Sequence, residues 1–254
     1  MPDYYQLFAG CLMDIDAFAP DSKHLRWITR FLEEDNRTFC FLPRFRRDVG
    51  PGGLDAIYGK GYFLTLLRQD AIREFLLAFY AFVAFNMEHD VFTSRESNVI
   101  YASDLHAGST FGSPEITDPL VCSSAVALQV LRQMLVLEEP DETGRPGERL
   151  HLLKAVPRAW LQDGQVIRLR EVPTHFGPVW LEVHSLAAQG RIAARLIPPQ
   201  QFPCRSIVLR LRHPTGQPLR SVSLNGQPWK EFDPRHETIL LPGDIWPGEI
   251  EACY

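Results

Sequence analysis

One stretch of this 254-residue chain gathers most of the groups that could do chemistry. Residues 92–106, FTSRESNVIYASDLH, place Glu96, Tyr101, Asp104 and His106 among the hydroxyls of Thr93 and Ser94, the guanidinium of Arg95 and the amide of Asn98. Glu96 has the chemistry of a general base, and Ser94, Ser97 and Asn98 are neighbours that could fix its carboxylate or hydrogen-bond a polyol. It could equally be a solvated loop carboxylate paired with Arg95. Asp104 and His106, spaced Asp-x-His, could orient a water or grip a pair of hydroxyls; the same spacing also suits an Asx-turn beside a core histidine. Apolar segments of helical period flank the stretch on both sides, and loops held between rigid helices often carry binding and catalytic groups.

A second constellation lies in GLDAIYGKG. Asp55 and Tyr58 are three residues apart and share a helix face, with Lys60 close by. The face could contact a sugar, with Gly59 and Gly61 permitting close backbone approach, or Asp55 could cap the helix and Tyr58 pack. Its Gly-x-Gly has no preceding strand and no third glycine, so it is not a dinucleotide fingerprint. Glu88, His89 and Asp90 follow an apolar helix at its C-terminal end, where a cationic histidine suits the helix dipole. Arg44, Arg46 and Arg47 read as a solvated basic loop. Cys122 opens a helix, where packing outweighs thiol activation. The sequence contains no HExxH, no CxxC and no GxSxG, so metal-protease, cysteine-zinc and serine-hydrolase sites are not indicated, and no cofactor or metal is implied.

Positioning these groups falls to two dissimilar halves. Before about residue 140 the periodicity predicts helices at 3–14, 22–35, 54–67, 70–86 and 122–137, with Ser22 and Asp70 as N-caps. The helix at 70–86 buries Phe75, Leu76, Phe79, Phe82 and Val83. It is apolar nearly all round beyond Glu74, and such a helix needs cover on most sides. Residues 38–53 and 87–121 are long connections, and connections of that length are commonly functional. The polar run EEPDETGRPGER at 138–149 reads as a linker or long loop. Beyond it, alternating runs predict strands at 150–154, 165–172, 178–186, 191–197, 206–212, 221–224, 238–241 and 249–253. Asn225-Gly226 marks a hairpin turn. The expected architecture is segregated α+β, with helical hairpins in 1–140 and an antiparallel β-sandwich in 150–254. Trp160 and Trp180 are expected in the sandwich core or at a domain interface.

Composition narrows the partners. A hydrophobic content of 45% and a charged content of 22% are those of a globular protein. A net charge of −5 with pI near 5.9 argues against nucleic acid or an anionic membrane. The longest apolar run, FLLAFYAFVAF, is about half of the roughly 20 residues a membrane-spanning helix needs. Five scattered cysteines read as buried free thiols, weakly favouring a reducing, cytoplasmic setting. The N-terminal residues lack a basic region and a small-residue cleavage site, so no signal peptide is read there, and they enter helical periodicity at once. That suggests a chain beginning inside a larger fold.

Five phrases carry a resemblance. GLDAIYGKGYFLTLL looks like an inner helix of an (α/α)6 toroid, and ESNVIYASDLH like the active-site loop before the last helical hairpin. CSSAVALQVLRQMLV looks like the closing helix. LHLLKAVPRAWLQDGQVIRLREVPTHFGPVWLEVHS is similar to the opening of the following sandwich, and VSLNGQPWKEF with TILLPG to its closing hairpin. Together they resemble the C-terminal part of a six-hairpin glycosidase of the type of the inverting α-L-rhamnosidases and their uncharacterised relatives. The resemblance implies a partial toroid followed by a β-sandwich, and a substrate that is an oligosaccharide or glycoside.

Inverting hydrolysis needs an acid on the leaving oxygen and a base on water, roughly 6.5–9.5 Å apart. The resemblance makes Glu96 the base, with Asp104, His106, Asp55, Tyr58 and Tyr101 as sugar-contacting groups. The acid, supplied in such enzymes by earlier hairpins, belongs to an N-terminal segment missing from this sequence. A polysaccharide lyase, using Tyr101 or His106 as base and Arg44–Arg47 against a uronate, is the rival enzyme. A non-catalytic carbohydrate-binding or inactive fragment is the rival from outside enzymology.

Overall fold

The computed structural model describes residues 10–15, 18–34, 38–39, 41–43, 56–87, 94, 120–140, 146–201, 204–244 and 247–254. The chain divides into two compact units, Met1–Gln133 and Met134–Tyr254.

The described part of the first unit is helical. Residues 10–14 are helical, followed by α1 (Lys23–Glu33), α2 (Ala56–Arg68), α3 (Ile72–Asn86) and α4 (Val121–Leu135), the last running on to the first residues of the second unit. A two-stranded ribbon, β1 (Thr38–Phe39) with β2 (Leu42–Pro43), lies between α1 and α2. Ser22 caps α1 as its residue type predicts, its hydroxyl accepting the Leu25 amide at 3.2 Å.

Asp70 does not cap α3. It ends α2 in the left-handed conformation at φ +57°, and the Ala71 and Asp70 amides donate back to the Leu66 and Leu67 carbonyls. This is a Schellman stop, which Asp enters at lower cost than most residues. Ala71 then opens α3 without a side-chain cap. The tight reversal folds α2 onto α3 as a hairpin. Phe63 meets Phe75 and Phe82 edge-on at 6.0 and 5.9 Å, and all three rings are buried. Each such side chain contributes about 1.5–3 kcal/mol of burial. The helix needs cover on most sides, and Leu77 and Tyr80 stay about half exposed.

The second unit is a sandwich. One sheet has six strands in the order β10-β9-β13-β7-β6-β5 and the other five in the order β11-β12-β8-β4-β3. Their spans are β3 Val136–Pro140, β4 Pro146–Leu152, β5 Val166–Val172, β6 Val179–Leu186, β7 Arg191–Ile197 and β8 Ser206–Arg210. The remainder are β9 Ser221–Leu224, β10 Gln227–Trp229, β11 Phe232–Asp233, β12 Thr238–Pro242 and β13 Gly248–Cys253. Alternation sends Leu150, Leu152, Ile207, Leu209, Ile239 and Leu241 from the five-stranded sheet into one shared core. From the six-stranded sheet it sends Val179, Leu181, Val183, Ile192, Leu196 and Ile250.

Two strand expectations change. Residues 138–140 and 146–149 of that run are strand, since β3 pairs antiparallel with β4 over Val136↔Leu152 to Glu139↔Arg149. Glu138, Glu139, Glu148 and Arg149 belong to this edge pair, with Val136 buried on one face. The sandwich is also not wholly antiparallel: β4 and β8 pair in parallel, Leu150 opposite Ile207. Strands β5, β6 and β7, which lie between them in sequence, pass through the other sheet and provide the long crossover a parallel pair requires.

Candidate functional site

The polar segment at 92–106 leaves α3 and leads to α4, and the described residues show how its stem is held. Met87, just past α3, forms an antiparallel bridge with Ser94. Ser94 and Leu120 are joined twice: the Leu120 amide donates to the Ser94 carbonyl at 2.8 Å, and the Ser94 hydroxyl donates to the Leu120 carbonyl at 2.5 Å. With its proton committed there, Ser94 Oγ accepts from the Ser124 hydroxyl at 2.7 Å, in the first turn of α4. Ser94 is fully buried. Met87, Leu120 and Ser124 therefore meet at one residue, Met87 through its backbone and Ser124 through the Ser94 hydroxyl, and residues 94 and 120 are held together. An anchorage of that kind is what a loop must have to hold reactive groups in register.

Glu96, Tyr101, Asp104, His106 and Asp55 lie outside the described residues, as do the side chain of Tyr58, the triplet Glu88-His89-Asp90 and the basic run Arg44–Arg47. Tyr58 itself falls on α2.

The rest of the second constellation serves packing. Lys60 Nζ pairs with Asp14 Oδ2 at 2.6 Å. A Cβ added to Gly61 would collide with the Gly10 carbonyl, the Asp14 amide and Met13, so the close approach that this glycine permits is made to the segment 10–14. On the same helix the Tyr62 hydroxyl donates to Glu33 Oε1 at 2.8 Å; burial first, then the Glu33 charge, raises its pKa.

Other sequence expectations are corrected. Of the two places expected for Trp160 and Trp180, the sandwich core is the one overturned: Trp180 points outward from β6, on the face opposite to its buried neighbours Val179 and Leu181, and Trp160 sits about one-third exposed on a short 3-10 turn. Of the described cysteines, Cys204 is buried, Cys253 half-buried and Cys11 and Cys122 exposed. Cys122 is exposed because it lies on the outer side of the first turn of α4 rather than in a core position.

The sandwich assembles two ionisable clusters that the sequence did not single out. On the outer face of the β3–β4 hairpin, His151 Nε2 lies 2.7 Å and Lys154 Nζ 3.8 Å from Glu139 Oε1. Burial alone would raise the Glu139 pKa. The His151 contact and the charges of Lys154 and Arg149 outweigh it, and the carboxyl is held at about 2. Burial depresses the His151 pKa, with the Glu139 contact opposing it. The short His151 contact also lacks the alignment of a directed hydrogen bond. Burial decides the matter: His151 is neutral near pH 7, and Lys154 is the charge partner of Glu139.

The second cluster joins Arg158, His213, Glu237 and Tyr254. Arg158 grips both oxygens of the buried Glu237, and the Tyr254 hydroxyl donates to the Leu211 carbonyl at 2.6 Å. Strand alternation places Glu139 and His151 together in hindsight; nothing local in the sequence brings residue 158 to residue 237. Among the described residues no group of three metal-ligating side chains comes together, and no helix is long and apolar enough to cross a membrane.

No protein-family model matches the sequence, and neither does any curated protein sequence. Several solved structures are similar to the chain, two of them as follows. One, described as a glycoside hydrolase, is 11% identical with a TM-score of 0.39, the similarity covering 84% of this chain and 34% of that one. The other, a GH127 beta-arabinofuranosidase, is 12% identical with a TM-score of 0.48, covering 97% of this chain and 41% of that one. The chain thus spans about a third to two-fifths of the length of these structures.

Proposed function

We propose that the chain is the C-terminal part of a glycoside hydrolase that cleaves an oligosaccharide or glycoside with inversion. Its partial helical toroid is followed by the β-sandwich. Glu96 is the general base that activates water, and Asp104, His106, Asp55, Tyr58 and Tyr101 contact the sugar. The observation that carries this reading is the anchored stem: a segment rich in carboxylate, imidazole and hydroxyl groups is pinned at Ser94, Leu120 and Ser124, directly before the helix that leads into the sandwich. The five sequence phrases that resemble six-hairpin glycosidases support it. The general acid comes from earlier hairpins, outside this sequence.

The chemistry suggests the test. A base without its acid can still hydrolyse a substrate whose leaving group needs no proton, so the chain is assayed against a panel of glycosyl fluorides. We expect slow turnover with an inverted product anomer, reduced on the order of 10²–10⁴-fold in Glu96→Gln. Turnover untouched by that substitution removes Glu96 from the role. An unsaturated, ultraviolet-absorbing product from a uronate polymer decides for a lyase. Sugar binding without turnover of any fluoride decides for a non-catalytic protein.

A further inference from the structure

The outer face of the six-stranded sheet has no part in the site above. Alternation along β6 turns Trp180, Glu182 and His184 outward while Val179, Leu181 and Val183 enter the core. The pairing registers set Arg168 of β5 and Arg195 of β7 on either side of Glu182, and Glu249 of β13 beyond Arg195. The charged groups are tied to one another. Arg168 Nε and His184 Nε2 lie 2.9 and 2.7 Å from Glu182 Oε1, and Arg195 Nε lies 3.6 Å from Glu249 Oε1. The Arg195 guanidinium stands 5.7 Å above the Trp180 ring, on a side chain 60% exposed and held only by an equally open Glu249. It can swing off the ring at little cost. The Trp180 indole N–H carries no hydrogen bond among the described residues.

We propose that this face, centred on Trp180, is a binding surface for a neutral polysaccharide, separate from the segment that carries Glu96. Three properties select that ligand. The sheet is broad, and its half-buried indole offers an apolar plane for the CH face of a pyranose or furanose ring. The paired guanidinium, carboxylate and imidazole groups are already oriented by one another and have unused donors and acceptors for hydroxyls. The ion pairs Arg168–Glu182, Arg195–Glu249 and Arg191–Glu251 each cancel, so this paired set favours neither polyanions nor polycations. A surface of this kind would tether a polymeric substrate to the chain and raise its local concentration. The inference rests on the carbohydrate reading above but not on Glu96.

The test is affinity electrophoresis of the full chain in native gels containing a mixed-linkage β-glucan, a galactomannan, or polygalacturonate as the anionic comparison. We expect retardation by at least one neutral polymer and little by polygalacturonate. Trp180→Ala should weaken it about tenfold, and Trp180→Tyr, which keeps an aromatic plane, should retain most of it. Arg195→Ala should leave retardation intact or strengthen it by uncovering the ring. If Trp180→Ala melts early, the Tyr and Arg195 variants decide. Three results overturn the proposal: no retardation by either neutral polymer, retardation undiminished in a folded Trp180→Ala, or stronger retardation by polygalacturonate. Self-association in sedimentation that Trp180→Ala abolishes, with no glycan effect, overturns it in favour of a contact between copies. In the wild-type chain, retardation without turnover of any fluoride sinks the hydrolase reading alone, and turnover without retardation sinks this one alone.

Discussion

Arg158 holds Glu237 with a two-pronged grip, Nη1 to Oε1 at 2.9 Å and Nη2 to Oε2 at 2.6 Å, across 79 residues of chain. Glu237 Oε1 also accepts the His213 amide at 3.1 Å, and the Glu237 carbonyl accepts the Leu211 amide at 3.1 Å. The pair thus ties the 3-10 turn at Arg158–Leu161 to the end of β8 and the start of β12. Its partners are unequal, since the Arg158 side chain is 37% exposed and that of Glu237 only 7%.

That inequality predicts an order of damage. Arg158→Ala leaves a buried carboxylate with one backbone donor, whereas Glu237→Ala leaves a guanidinium that water can reach. We expect Arg158→Ala to cost about 3 kcal/mol and Glu237→Ala about 1–2 kcal/mol, the exposed partner being discounted for screening. Glu237 also has φ +54°, so Glu237→Gly should recover part of the Ala loss by relieving the left-handed backbone. Urea midpoints at constant slope give the ranking; an Arg158→Ala variant more stable than Glu237→Ala would contradict the buried-charge argument.

The Glu139–His151–Lys154 cluster predicts acid sensitivity in two steps of the same sign. His151 has a depressed pKa when folded, so its contribution is present above its ordinary 6.5 and is lost as pH falls below it. Glu139, at about 2 against an ordinary 4.5, contributes stability that is present above 4.5 and lost as pH falls towards 2. The second step is on the order of 2–3 kcal/mol, since the side chain is only 28% exposed. Denaturant titrations at intervals from pH 7.5 to 3 should show stability falling throughout. His151→Gln should flatten the part just below 6.5, and Glu139→Gln the part below 4.5. Stability that rises between pH 7 and 5 would mean that His151 gains a proton on folding.

How far these features were legible depends on the distance over which they are encoded. Strands β5, β6, β7, β9, β12 and β13 follow from alternation and turn residues within ten positions of each other, and their ends agree with the expected ones to within a residue. Asp70 was misread because an aspartate between two helices suits either an N-cap or a left-handed stop. Which it becomes depends on whether its φ is positive, a property of the turn and not of the residue. Residues 138–140 and 146–149 were misread because the outward face of an edge pair has the polarity of a linker. The parallel β4–β8 pair and the Arg158–Glu237 grip depend on the crossover through the opposite sheet, which no local pattern records. At the candidate site the sequence names the reactive groups but not the Ser94 anchorage, because a serine joined to Leu120 and Ser124 looks like any loop serine.

Gly61 yields a prediction opposite to helix propensity. In the middle of α2, Gly→Ala should by itself stabilise by about 0.5–1 kcal/mol. The added methyl would instead strike the Gly10 carbonyl and the Asp14 amide, both backbone groups that cannot rotate away. Gly61→Ala should therefore destabilise by about 1–3 kcal/mol, by forcing the segment 10–14 off α2. Loss of the Lys60–Asp14 pair should accompany it, so Asp14→Asn should weaken the wild type and barely affect Gly61→Ala. A double-mutant cycle read by thermal melting tests both statements. A Gly61→Ala protein as stable as the wild type would show that the segment docks elsewhere.

The Ser94 anchorage makes the sharpest connection between stability and the proposed chemistry. Ser94→Ala removes a donor from the Leu120 carbonyl and an acceptor from the Ser124 hydroxyl, two part-buried bonds made by a fully buried serine. The cost should be about 1–3 kcal/mol. Ser124→Ala leaves the bond from Ser94 to Leu120 in place and should cost less, about 0.5–1 kcal/mol. The backbone bond from the Leu120 amide to the Ser94 carbonyl survives both changes, but it should open more often in Ser94→Ala. Hydrogen exchange at the Leu120 amide should accelerate several-fold there and little in Ser124→Ala. If the stem holds Glu96 in register, turnover of a glycosyl fluoride should fall in Ser94→Ala at a temperature where the protein is fully folded, with kcat dropping more than KM rises, and Ser94→Thr should restore it. Unchanged exchange at Leu120 in Ser94→Ala would show that the hydroxyl is not what joins the two ends of the segment.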